Sequence, residues 1–263
     1  MALSLMLALM AGGLSGCESG AVVEGLVVDF QGQPLPGVAV IHARDGAQTI
    51  TNALGTYRLR IQPGETGLEY RKTGYTPGNL QLNIERPRLV EANTVLLWPL
   101  PIEKGVYLFK DFRYHELERM EPEAYQQEDG SPLLALPRTP EMETDLESLR
   151  LLCYDMPPFD VRLHRLSEIT ARKPMTGAVE ETVWGPVETI SILSAPIDEP
   201  EQLLLEIDLL STLQPGVYAV HWGALDGYTT LDSRCYVFRI ADPEEDEATE
   251  EDIESEDNDD AEA

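Results

Sequence analysis

Turn-forming residues interrupt this chain at short intervals along most of its length. The 19 prolines and 20 glycines are spread out rather than gathered in one linker, and short apolar stretches lie between them. Thr56 to Ile61 shows the pattern best. Tyr57, Leu59 and Ile61 point one way, and Thr56, Arg58 and Arg60 point the other, the period of two expected of a half-buried strand. Many short strands separated by turns predict an all-β protein. With 263 residues, 43% of them hydrophobic, the chain can fill one large core or two small ones.

The formal net charge is −28, and about half of it lies in the last stretch, DPEEDEATEEDIESEDNDDAEA, residues 242–263, which has no Lys or Arg. Dense like charge with almost no apolar residue cannot form a core, so this tail is expected to be disordered. Asp257-Asn258-Asp259-Asp260 offers oxygen ligands, but without the glycine and distal glutamate of an EF-hand loop. An acidic chain excludes nucleic-acid binding, which needs a basic face to displace counterions. It also excludes a polybasic membrane contact.

Residues 1–16, MALSLMLALMAGGLSG, form an apolar segment too short to span a bilayer as a mature helix. The segment has the length of a signal-peptide core. Leu14-Ser15-Gly16-Cys17 resembles the lipobox of bacterial lipoproteins. That resemblance implies cleavage before Cys17 and acylation of its thiol and new amine. Two or more acyl chains anchor stably where one does not. The alternative is an ordinary secretory signal with an incidental cysteine. No Lys or Arg precedes the apolar run, so the amino group alone supplies the positive end unless the start codon lies upstream. Glu18 follows the cysteine. The usual inner-membrane retention residue there is Asp, so in an envelope with two membranes the outer one is favoured over the inner.

After a tether at 17–21, strand signals fill residues 22–101. Val22 to Asp29, Val38 to Ile41, Thr56 to Ile61, Leu68 to Lys72, Leu80 to Ile84 and Asn93 to Trp98 are separated by turns at Asn52 to Gly55, Gln62-Pro63-Gly64 and Gly74-Tyr75. This spacing predicts an antiparallel sandwich. The string of Gly25, Val27, Asp29, Gly32, Pro34, Leu35, Pro36, Gly37, Val38 and Val40, then Thr51, Gly55, Tyr57 and Leu59, then Lys72, Gly74 and Tyr75 resembles the carboxypeptidase regulatory-like domain. The resemblance implies a transthyretin-like sandwich and a non-catalytic module, and it covers about a third of the chain. Zinc carboxypeptidases that carry this module need a His/Glu pair on a separate domain. Intradiol dioxygenases, with a similar sandwich, need two His and two Tyr. The four histidines, His42, His115, His164 and His221, show no close His–His spacing, and the one His-x-x-Glu string, His115 to Glu118, lies at an expected hairpin strand rather than on a separate domain, so neither a metal nor a cofactor is expected.

Residues 102–241 read as a second sandwich. Gly105 to Phe109 is a strand that Asp111-Phe112 can turn into a hairpin with Tyr114 to Leu117. The region 118–147 is rich in Glu and Pro and is expected to be a long loop with a short helix near Pro140 to Ser148. Further strands are expected at Leu149 to Tyr154, Phe159 to His164, Val187 to Leu193, Leu203 to Leu210, Val217 to Trp222 and Arg234 to Ile240, with Ile169 to Gly185 irregular. Leu213-Gln214-Pro215-Gly216-Val217-Tyr218 resembles the tyrosine corner of immunoglobulin-like and fibronectin-like sandwiches. The alternative is a plain turn and strand.

Cys153 and Cys235 remain after lipidation of Cys17. In an oxidising compartment an even pair suggests a disulfide, with two buried thiols as the alternative. Trp184, Trp222 and Tyr228, near strand ends, are candidate sugar-binding aromatics. Trp222 lies inside an expected strand, which favours the core. No nucleophile elbow, phosphate loop or metal-ligand spacing appears. The expectation is a non-enzymatic, lipid-anchored envelope protein. Its partners would be the bilayer and an envelope protein or glycan, and the alternative role is a carbohydrate-binding accessory module.

Overall fold

The computed structural model describes residues 20–145, 149–174, 179–197, 201–227 and 232–242. The segment with Cys17, the tail beyond Asp242, and Tyr228 lie outside the described residues. Among the described residues there is no helix, and the all-β expectation holds. The chain divides into two units. One takes Met1–Val28, Pro34–Tyr70 and Asn79–Val95. The other takes Asp29–Gln33, Arg71–Gly78 and Leu96–Ala263. The units therefore interleave in sequence, where the strand pattern places a single boundary after residue 101.

The first unit draws on strands β1 (Ala21–Asp29), β2 (Ala39–His42), β3 (Gln48–Ile50), β4 (Thr56–Ile61), β5 (Gly64–Arg71), β6 (Gly78–Ile84), β7 (Leu89–Glu91) and β8 (Val95–Leu97). One sheet has the order β4-β1-β7, with β8 also on β1, and the other has the order β3-β2-β5-β6. Alternation decides what fills the space between them. Tyr57, Leu59 and Ile61 from β4 are buried, as are Thr66, Leu68 and Tyr70 from β5. The Tyr57 and Tyr70 rings meet edge to face at 5.7 Å, and their hydroxyls share a hydrogen bond of 2.7 Å. Gly25 faces Tyr57 across β1–β4, and a Cβ there would lie 2.6 Å from the tyrosine oxygen. The glycine of the motif therefore makes room for the aromatic ring.

The second unit contains β9 (Gly105–Lys110), β10 (Arg113–Glu116), β11 (Glu118–Met120), β12 (Glu123–Gln126), β13 (Pro132–Ala135), β14 (Glu143–Thr144) and β15 (Leu151–Tyr154). It continues with β16 (Arg162–Arg172), β17 (Glu180–Ile190), β18 (Ile192–Pro196), β19 (Leu204–Leu209), β20 (Gly216–His221) and β21 (Cys235–Ile240). One sheet runs β10-β9-β15-β19-β18. The other runs β11-β21-β20-β16-β12-β13, with β14 on β21 and β17 on β16. Within these, β9-β15-β19-β18 and β21-β20-β16-β17 reproduce the A-B-E-D and G-F-C-C′ orders of an immunoglobulin sandwich. The tyrosine corner sits where that fold requires it, at the start of β20. The Tyr218 hydroxyl donates to the Gln214 carbonyl at 2.7 Å and accepts from the Gln214 amide at 3.2 Å.

The core between these sheets joins Val106, Leu108, Leu151, Cys153, Leu205 and Ile207 to Leu163, Val220, Tyr236, Phe238 and Ile240. Cys235 and Val237, on the other face of β21, join Met120, Leu136, Leu166, Val217 and Ala219 in a separate cluster. Both faces of β20 and β21 are thus covered.

Three expectations are corrected here. The region 118–147 contains strands rather than a long loop. Its β11 and β14 pair with β21, and β12 and β13 pair with each other. Glu143–Thr144 is strand rather than helix, and 146–148 fall outside the described residues. Within Ile169 to Gly185, residues 169–172 and 180–185 are paired arms of a long β16–β17 ribbon rather than irregular, and 175–178 fall outside the described residues. Small residues on the ribbon's buried face, Ala171 and Gly185, and a tryptophan on its other face, Trp184, blur the apolar alternation, and short edge strands carry even less of that signal.

Candidate functional site

The carboxypeptidase-like motif residues build structure. The Asp29 Oδ1 atom accepts the amides of Gln31 and Gln33, both at 2.9 Å. Thr51, buried, donates from Oγ1 to the Leu35 carbonyl at 2.7 Å and accepts the Val38 amide at 2.9 Å. Gly55 has φ +70°, and a Cβ there would stand 2.5 Å from the Val27 carbonyl oxygen. His42 is buried in β2, with Asp45 and Thr66 at 2.5 Å from its two ring nitrogens. Its side chain is therefore a strand residue with both nitrogens partnered.

The disulfide expected of Cys153 and Cys235 is not made; both are free, buried thiols. Side-chain parity is the reason. Cys153 joins the inter-sheet core, whereas Cys235 shares a face with Val237 and points away from that core. Burial pushes the Cys153 thiol well above its ordinary value and the Cys235 thiol up to about 12. Both are held as inert thiols.

The expected sugar-binding aromatics separate. Trp222 is core: 2% exposed, with its indole nitrogen donating to the Pro157 carbonyl at 3.0 Å. One residue beyond β20, it continues the face of Tyr218 and Val220 into the core between the sheets. Trp184, by contrast, is half-buried and lines a cleft of about 470 Å³ with Thr139, Glu168, Gly216, Arg239 and Asp242. Its indole nitrogen donates to Thr139 Oγ1 at 3.1 Å. Its backbone exchanges two 2.9 Å bonds with Leu136. The β16–β17 register sets Glu168 directly across from Trp184, which puts both side chains on the same face.

The structure also joins two histidines that sequence reasoning leaves apart. His164 on β16 and His221 at the end of β20 are 57 positions apart, yet His164 Nδ1 and His221 Nε2 are 2.6 Å apart and the rings stack at 4.9 Å. In the β16–β20 register, Arg162 faces His221 and His164 faces Ala219, so the two histidines are diagonal neighbours on one face. Only the tertiary register reveals this pairing.

Proton counting fixes the state of the pair. The Gly223 amide donates to His221 Nδ1 at 3.0 Å, so that nitrogen is bare. Neutral His221 then carries its proton on Nε2 and donates to His164 Nδ1. His164 in turn is protonated on Nε2 and donates to Thr189 Oγ1 at 2.8 Å. Burial, then His164 beside it, pushes His221 down to about 4 against the opposing pull of Asp226. Burial also lowers His164, with Asp226 opposing and Arg162 assisting.

With Asp226, this pair forms the one cluster of potential metal ligands among the described residues. The chemistry does not suit a metal. Every ring nitrogen is already used, and Asp226 is paired with Arg162 at 2.8 Å. The 2.6 Å nitrogen–nitrogen distance is also below the roughly 3.3 Å that two ligands of one tetrahedral zinc require. The arrangement is a neutral hydrogen-bonded relay from backbone to surface threonine.

Residues 22–96 match the model of the carboxypeptidase regulatory-like domain. No curated protein matches the chain. Among solved structures, a streptococcal ancillary pilin is 16% identical at a TM-score of 0.24, over 86% of this chain and 60% of that one. The Bacillus anthracis TIE protein is 9% identical at 0.25, over 85% and 49%. BcpA, the major pilin subunit of Bacillus cereus, is 12% identical at 0.27, over 84% and 69%. The chain therefore spans less than two thirds of the first two, and likenesses at these TM-scores carry no argument about function.

Proposed function

We propose that this protein is a non-enzymatic, lipid-anchored envelope protein, held to the membrane through acylated Cys17 and presenting its β-sandwich units for structural or binding work. The observation that carries the reading is where the reactive side chains are used. The motif residues Asp29 and Thr51 bond their own backbone. Three of the four histidines, His42, His164 and His221, have every ring nitrogen partnered, His115 stands exposed on β10 apart from them, and both described cysteines are buried. General acid–base or nucleophilic catalysis needs a group within reach of substrate with a proton to exchange, and these groups are committed elsewhere. The Leu14–Cys17 sequence supports the anchor, and Glu18 supports the outer membrane as its site.

A labelling experiment tests the anchor. Wild-type chain grown with labelled palmitate takes up label, the Cys17→Ala variant takes up none, and the mature protein lacks residues 1–16. Retention of those residues, or wild-type chain without fatty acid, overturns the lipoprotein reading. A second reading, a carbohydrate-binding accessory module, draws support from the cleft beside Trp184.

A further inference from the structure

We infer that the cleft beside Trp184 is a subsite for a neutral saccharide. The inference rests on the binding role proposed above and names the ligand class. The indole is held in advance: its nitrogen is fixed by Thr139 and its backbone by the paired bonds to Leu136. A rigid, part-exposed ring offers the apolar C–H face of a pyranose a flat partner at little entropic cost. Directly across the ribbon stands Glu168, exposed and without a hydrogen-bond or ion-pair partner among the described residues. It supplies acceptors for sugar hydroxyls. Arg239, on β21 and ion-paired with Glu143 at 3.7 Å, borders the same cleft.

The register of the ribbon shifts between Arg165 and Leu166. Glu188 faces Arg165 and Pro186 faces Leu166, which leaves Val187 as an extra residue three positions from Trp184. Bulges of this kind turn a strand and re-aim its side chains, often beside binding sites.

Charge selects the ligand. Glu168 and Asp242 line the cleft together with Arg239, so a ligand of either full charge meets a like charge. A purely apolar ligand would strip water from Glu168 without replacing its hydrogen bonds. A neutral polyol with one apolar face serves both the indole of Trp184 and the carboxylate of Glu168, and the cleft volume of about 470 Å³ falls within the range of small-ligand sites.

The three tryptophans, Trp98, Trp184 and Trp222, give separate indole N–H resonances, which suits an NMR titration of the purified full chain. Cellotetraose, maltotetraose and N-acetylchitotetraose serve as neutral probes, with trigalacturonate and triarginine as charged ones. A neutral tetrasaccharide shifts the Trp184 resonance saturably at low millimolar concentration and leaves Trp222 unmoved. Glu168→Gln, at an exposed position, weakens that binding roughly tenfold, and Trp184→Ala abolishes it. The inference is overturned if no neutral probe moves Trp184, if only triarginine does, or if Glu168→Gln binds as tightly as wild type. None of these outcomes bears on palmitate uptake at Cys17, so the anchor and the cleft stand or fall separately.

Discussion

The neutral histidine pair makes the second unit acid-sensitive in a defined window. His221 is lowered from 6.5 to about 4 in the folded protein, so between those values the unfolded chain binds a proton that the folded chain does not. Stability is therefore full above pH 6.5 and falls as pH drops toward 4. The linkage relation gives a loss of about 1.4 kcal/mol at pH 5.5 and about 3 kcal/mol at pH 4 from His221 alone. That is a large share of a typical folding free energy of about 5–15 kcal/mol. His164 is lowered as well and adds in the same direction. Hydrogen bonds hold the carboxyls of Asp45 and Asp129 low, the first chiefly from the Ala47 amide and the second from Ser131, so those two groups titrate below the window.

All three tryptophans lie in the second unit, so urea unfolding followed by tryptophan fluorescence at pH 7.5, 5.5 and 4.5 reads this effect selectively. The expected result is a midpoint that drops steadily below pH 6.5. A His221→Gln variant is less stable at neutral pH and keeps only the part of the slope that His164 contributes. A flat profile between pH 7.5 and 4.5, or an unchanged slope in the variant, refutes the reasoning.

Tyr218→Phe removes the corner hydroxyl and its two bonds to Gln214. It is expected to cost about 1–2 kcal/mol in urea unfolding, with an unchanged midpoint as the contrary result. Thr51→Val strands the Val38 amide and the Leu35 carbonyl and is expected to cost about 3 kcal/mol, read by amide exchange in β2 and β4. Gly55→Ala forces a Cβ against the Val27 carbonyl at a positive φ. It is expected to destabilise the same unit by about 2 kcal/mol or more, and wild-type exchange rates would count against it. Iodoacetamide should leave Cys153 and Cys235 unmodified in native protein and label both after unfolding. A band that shifts with reductant on a denaturing gel would restore the disulfide.

Strand positions and turns are legible in the residues themselves because their causes are local. Alternation at Tyr57, Leu59 and Ile61 predicts which face of β4 is buried, and the Leu213 to Tyr218 string predicts a corner whose bonds span only four residues. Short edge strands such as β11 and β14 escape because two or three residues carry no period, and their place is set by pairing to β21. In the cleft, Trp184 is identifiable from its type and its neighbours Gly185 and Pro186. Glu168 is not, since only the ribbon's register sets it across from the indole.

The sequence by itself determined an all-β chain, an apolar stretch that runs up to Leu14-Ser15-Gly16-Cys17, and the glycines and polar residues that shape the first sandwich. Tertiary structure alone decided that His164 meets His221, that Cys235 turns its back on Cys153, and that Trp184 faces a cleft while Trp222 is buried. The physical reason is common to all three. A strand's alternation says which residues share a face, but only pairing and packing with distant strands decide what that face meets.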